Sequence, residues 1–213
     1  MTRITKTRRY GNVRPSEFVD CAEFPCADVN KDRYIVPDIE VNSDRIKIIM
    51  ISEASPPDLR DYFYVENDPF YFKTTAQAFE DAGFSVYSAK DVLDLGVYIT
   101  TAIKCGKTGY SISSKTIENC SAILEKEMEL FPSVRAILLM GDTAIKAMNY
   151  IARRTSGKRV IPSGSTYKIR KNTFFYKETR VFPSYLQTGK SYLIEKSKRK
   201  MIAEDIQAAL EQY

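Results

Sequence analysis

The sequence contains no histidine, and only four of its 213 residues are cysteine. Without imidazole, ligation of a soft metal falls to thiolates. No apolar run approaches the ~20 residues that a membrane-spanning helix needs, and the basic stretch from Thr2 to Tyr10 is not followed by the apolar segment of a secretory signal. The chain is therefore expected in the cytoplasm, with no membrane partner. A reducing compartment disfavours structural disulfides and leaves metal or cluster ligation as the better use for paired cysteines. There is no internal repeat and no low-complexity segment.

What is present suffices for a globular core, because 44% of the residues are hydrophobic and 28% charged. The cysteines fall into two pairs, Cys21 with Cys26 and Cys105 with Cys120. That pairing makes an all-thiolate metal site the first hypothesis. The alternative is that Cys120 is a buried small hydrophobe on an apolar helix face and Cys105 a plain strand-end thiol.

Four short apolar runs read as strands buried on both faces: Ile46 to Ser52, Val97 to Ile103, Ala136 to Met140 and Arg180 to Tyr185. Helical patterns lie between and after them. One runs from Thr74 to Ala82 and ends at Gly83, and one from about Lys115 is stopped by Pro132. A third, after Gly141 or Asp142, turns Ile145, Met148 and Ile151 inward, and the last covers Lys196 to Leu210. This alternation predicts an α/β domain over 34–213, three-layer α/β/α, with a mainly parallel sheet of about four strands. Residues 1–33 read as an N-terminal arm carrying Cys21 and Cys26. The basic segment from Arg153 to Tyr176 has room for a hairpin.

The net charge of +5 is unevenly spread. Arg3, Lys6, Arg8 and Arg9 form one group. Arg153, Arg154, Lys158 and Arg159 form a second, and Lys190, Lys196, Lys198, Arg199 and Lys200 a third. Charge runs are commonly solvated faces, but three together favour a nucleic-acid phosphate backbone as partner.

A strand leading into SEAS and then DPF, the run YITTAIKC with its loop and helix, AILLMGDTAIKAM, and VFPSYLQTGKS before a basic helix occur in that order. Together they resemble the uracil-DNA glycosylase superfamily, and within it the iron-sulfur branch. The resemblance spans roughly residues 18 to 211. It implies that Cys21, Cys26, Cys105 and Cys120 hold a 4Fe-4S cluster, with zinc in the same thiolates as the lesser alternative. It also implies hydrolysis of the bond between a flipped base and its deoxyribose.

By the same resemblance Phe70, in DPF, stacks on the base, and Glu53, in SEAS, stands where the family's GEAPG motif has its glutamate. Such a carboxylate orients water or faces developing positive charge. Asp58 and Asp61 share that loop, as helpers or as solvated surface groups. Lys190, Ser191, Tyr192 and Leu193 correspond to the loop that wedges the minor groove and contacts phosphate, with Lys196 and Lys198 following.

Two positions depart from the pattern. The family's asparagine, which reads the base edge, is Thr101 here, and a hydroxyl cannot present a carboxamide's acceptor and donor together. The histidine that bonds the leaving base is Leu186. A monomeric, DNA-binding glycosylase for a modified or damaged base, weakly dependent on sequence, is the first expectation. A non-catalytic nucleic-acid-binding module is the second, and an enzyme on another small substrate the third.

Overall fold

A computed structural model describes residues 11–66 and 69–212, without the side chains of Lys190 and Ser191. Those two side chains, and the basic group Arg3, Lys6, Arg8 and Arg9, lie outside the described residues. In chain order the elements are β1 (Asn12–Val13), β2 (Val29–Asn30), β3 (Val41–Asn42), β4 (Ile48–Ser55), α1 (Phe70–Asp81), α2 (Ala89–Asp94), β5 (Val97–Lys107) and α3 (Ser114–Met128). They continue as β6 (Ala136–Met140), α4 (Asp142–Ser156), α5 (Thr166–Ile169), β7 (Phe174–Tyr176), β8 (Thr179–Ser184), α6 (Lys190–Ile194) and α7 (Lys196–Leu210).

The main sheet has six strands in the order β2-β5-β4-β6-β8-β7. The four apolar runs form its parallel centre, β5-β4-β6-β8. The short β2 and β7 add antiparallel edges, which makes the sheet mixed. Successive residues of β4 serve opposite layers, as strand geometry requires. Ile49 and Ile51 pack with Leu124 of α3 and Ala147, Met148 and Ile151 of α4. Ile48 and Met50 pack with Phe79 of α1 and Ile202 and Ile206 of α7. Each such fully buried side chain contributes about 1.5–3 kcal/mol, so the three-layer arrangement follows from the apolar runs.

Several boundaries differ from the expectation. Helix α1 starts at Phe70, earlier than the predicted Thr74, because the Phe70 N–H donates to Asp61 Oδ1 at 3.3 Å, placing a carboxylate at the helix N-terminus. The hairpin is formed by β7 and β8, turning at Lys177, whose φ is +53°. Residues 11–33 are also less detached than an arm. Val13, Val19 and Val29 belong to the core, and β2 pairs with the end of β5.

Strand β5 continues past the predicted end at Ile103 to Lys107. A register shift lies between Ala54 and Ser55, where Ser55 pairs with Gly106. A Cβ at Gly106 would lie 2.7 Å from Arg33 Cβ, so only glycine fits.

Beneath this strand lies a buried ion pair. Lys104 and Glu127 are both fully buried. Lys104 Nζ donates to Glu127 Oε2, to Thr100 Oγ1 at 2.7 Å and to the Thr101 carbonyl at 2.8 Å. Glu127 Oε1 accepts from Tyr98 OH at 2.7 Å and Thr100 Oγ1 at 2.8 Å. These bonds tie α3 to β5 just before Cys105.

Candidate functional site at the strand ends

Parallel sheets expose the carboxyl ends of their strands to loops, and chemistry gathers there. Glu53 lies near the end of β4. Its Oε1 accepts from Lys107 Nζ at 2.9 Å and from Thr143 Oγ1 at 3.2 Å. Lys107 closes β5 and Thr143 is in the first turn of α4, so three elements orient one carboxylate. The ion pair keeps about a quarter of each side chain exposed, leaving Glu53 open to a ligand or water.

Tyr71 follows the expected stacking residue Phe70. Burial, and after it the charges of Glu53 and Asp61, push its phenol up to about 12. Glu53 and Asp61 therefore both lie within electrostatic reach of one hydroxyl. Phe70 itself is half-buried at the start of α1.

Asp58 is otherwise engaged. It caps the turn Leu59–Asp61 and pairs with Arg60 at 2.5 Å. Those bonds to Arg60 hold its carboxyl down at about 2. This carboxylate is engaged within its own loop.

Leu186 lies at the same end of the sheet. A Cβ at Gly141 would be 3.5 Å from Leu186 Cβ, and Gly141 has φ +94°, a conformation that excludes most side chains. Thr101 is fully buried, and its Oγ1 has no hydrogen-bond partner among the described residues. Ser52, its register partner on β4, has an equally unpartnered Oγ. Gln187 is also fully buried, with Oε1 unpartnered among the described residues and Nε2 resting 3.5 Å from Met50 Sδ. A thioether is a weak acceptor, and each unsatisfied buried polar group costs about 1–3 kcal/mol.

Sequence reading missed Gln187, Tyr71, Lys107 and Thr143. Only Lys107 carried a signal, as a cation in the loop after an apolar run.

All four cysteines line one cavity of about 500 Å³, between the 20–26 segment, β5 and α3. Burial first, and the neighbouring cysteines after it, push Cys105 up to about 12 and Cys120 up to about 11. The Lys104 N–H donates to Cys120 Sγ at 3.3 Å and opposes the rise. Tyr34 also lines the cavity, and its buried hydroxyl has no partner among the described residues. Its phenol is raised by burial and then by Cys21. Among the described residues, no three His, Cys, Asp or Glu side chains are grouped as ligands of one ion. Four soft donors and an orphaned O–H around one cavity nevertheless fit an iron-sulfur group chemically.

The expected DNA-facing residues divide. Tyr192 is 2% exposed and donates to Asp81 Oδ2 at 3.3 Å, so it is a packing residue and no wedge. Leu193 and Ile194 are 47% and 77% exposed at the same place. Lys196 is exposed, whereas Lys198 pairs with Glu195 at 2.6 Å and lies over the Tyr185 ring. In the second basic group Arg154 turns inward to Glu125, and Arg153 and Arg159 line a groove with Lys146.

Among the described residues no helix is long and apolar enough to cross a membrane. Comparison with curated proteins gives no match. Residues 42–208, well over half of the chain and including every strand of the parallel centre, match the Uracil DNA glycosylase superfamily, and the protein belongs to that superfamily.

Proposed function

We propose that the protein binds DNA, takes up a modified or damaged base at the strand ends and hydrolyses its N-glycosidic bond. The observation that carries this reading is Glu53, held between Lys107 and Thr143. A water oxygen bonds to C1′, the C1′–N bond breaks with its electron pair leaving on the base, and the water proton passes to base or solvent. Glu53 orients that water and stabilises the positive sugar, while Phe70 stacks on the base. A second reading, a binding module without activity, is favoured by Leu186, which offers the departing base no donor.

Oligonucleotides carrying different damaged bases, single- and double-stranded, test the choice. Abasic product from at least one of them is expected. A folded protein that binds these DNAs and releases no base would establish the second reading.

Cys21, Cys26, Cys105 and Cys120 would hold a 4Fe-4S cluster, with the Tyr34 O–H available to a cluster sulfur. When bound, such a group joins the 20–26 segment to β5 and α3 and adds electron-transfer capacity. Protein purified without oxygen should be brown, with about four irons per chain. Zinc at about one per chain would favour the simpler thiolate site, and colourless protein with neither metal would end both proposals.

DNA affinity should be mainly electrostatic. Lys196→Ala with Lys200→Ala should reduce the slope of log affinity against log salt by about one unit per lost phosphate contact. An unchanged slope would return both lysines to a solvated face.

A further inference from the structure

We infer that Lys107 gives this protein a second activity, an abasic-site lyase step in which its amine forms a Schiff base with the C1′ aldehyde and the strand is cut on the 3′ side. The inference rests on the glycosylase reading above, which places a deoxyribose beside Glu53 and leaves an aldehyde there.

Lys107 Nζ donates to Glu53 Oε1 at 2.9 Å, so a sugar that faces this carboxylate also faces the amine. The bonds from Lys107 and Thr143 both fall on Oε1, and among the described residues Oε2 has no hydrogen-bond partner. One oxygen holds the amine while the other is free to accept a proton. Nζ also lies over the Tyr110 ring, 5.8 Å from its centroid, and the Lys107 side chain is one-quarter exposed. A ligand can therefore reach it.

The backbone under this amine is firmly held. Lys107 pairs with Val29 of β2, and Thr108 after it donates to the Asp28 carbonyl at 2.9 Å. Between the pairs Ala54–Ile103 and Ser55–Gly106, β5 carries Lys104 and Cys105 in a register shift. Such a bulge re-aims the residues that follow it, and here the residue delivered to Glu53 is Lys107. Reactive groups mounted on strands keep their geometry better than groups on loops. Base release does not call for this amine, because its charge offsets part of the negative charge that Glu53 presents to the developing positive sugar. The aldehyde left afterwards does call for it, since lysine amines condense with carbonyl carbons.

The step balances without any further reagent. Glu53 takes a proton from the Lys107 ammonium, and the free amine nitrogen bonds to C1′ of the open-chain sugar. The carbonyl oxygen, protonated from the nitrogen and then from Glu53, leaves as water, which gives a protonated imine. Glu53, again a carboxylate, removes a proton from C2′. The C–H electrons form the C2′–C3′ double bond, and the C3′–O bond breaks with its pair on the phosphate. Water then hydrolyses the imine and restores the amine. The abasic strand is the first product and the cut strand the second.

The test uses protein purified without oxygen and an oligonucleotide with a preformed abasic site, so that no base release is needed. Borohydride added during the reaction reduces the imine to a stable amine. A protein–DNA adduct that survives denaturing electrophoresis and maps to Lys107 is expected, together with cleavage that leaves an unsaturated aldehyde on the 3′ end. Lys107→Arg keeps a cation beside Glu53 but has no amine able to form an imine, so adduct and cleavage should fall to the protein-free level. Melting temperature is measured first, and Lys107→Gln repeats the test if arginine prevents folding. No adduct from native protein bound to the abasic DNA, an adduct on another residue, or native-like trapping by Lys107→Arg would each overturn the inference. Free base released from a damaged oligonucleotide whose strand stays intact until alkali is added would overturn it and leave the glycosylase reading standing. A native protein that releases no base yet forms the Lys107 adduct on the preformed site would do the reverse.

Discussion

Glu127→Leu is expected to destabilise the protein by about 3–5 kcal/mol, because it leaves the Lys104 ammonium buried without its counter-charge. For a domain of this size that is a fall in melting temperature of roughly 6 to 20 °C. The Tyr98 and Thr100 hydroxyls lose their acceptor in the same step. Lys104→Met added to Glu127→Leu should restore most of the loss, since an apolar pair of similar volume replaces a desolvated ion pair at little net cost. Thermal unfolding of the two single variants and the double variant measures the coupling. Additive losses would show that packing, and not the charge pair, dominates at this position.

Leu186→His should have the largest effect on activity, and in the direction of gain. Leu186 lies against Gly141 at the strand ends, where the resemblance places the histidine that donates to the departing base. Adding such a donor is worth about 10²–10³ in rate when it meets developing charge. Single-turnover excision of the best native substrate should rise by up to that factor, with DNA affinity little changed. A variant that folds, binds DNA and gains nothing would show that the leaving base departs away from residue 186.

The parallel centre was legible because its strands are buried on both faces and so read as continuous apolar runs, β6 matching Ala136 to Met140 without adjustment. The edge strands were not. Val29–Asn30 and Phe174–Tyr176 are too short for a period to show, and they exist through pairing with distant chain. Helix α2 was missed for a similar reason. It has six residues and depends on a capping box between Ser88 and Asp91.

At the site, residues with a motif around them were easier to find than residues placed by tertiary contact. Glu53 directly follows an apolar run, so its place near the end of a central strand could be read from the sequence. Lys107 could be coupled to Glu53 only once β5 was seen to extend past Ile103 to Lys107. Tyr192 looked like a wedge because it neighbours lysines, but α6 turns it inward to Asp81. Gln187 carried no signal, because nothing in a linear pattern tells a buried amide from a solvated one.

The most direct measurement is single-turnover base release by the native protein and by Glu53→Gln, on the oligonucleotide that the native protein cuts best. Glutamine keeps the bonds available to Lys107 and Thr143 but removes the charge that faces the sugar. Release should therefore fall by at least about 10²-fold while DNA affinity stays within a few-fold. Equal rates for the two proteins would contradict the account, because the carboxylate on which the strand-end elements converge would then have no part in the chemistry.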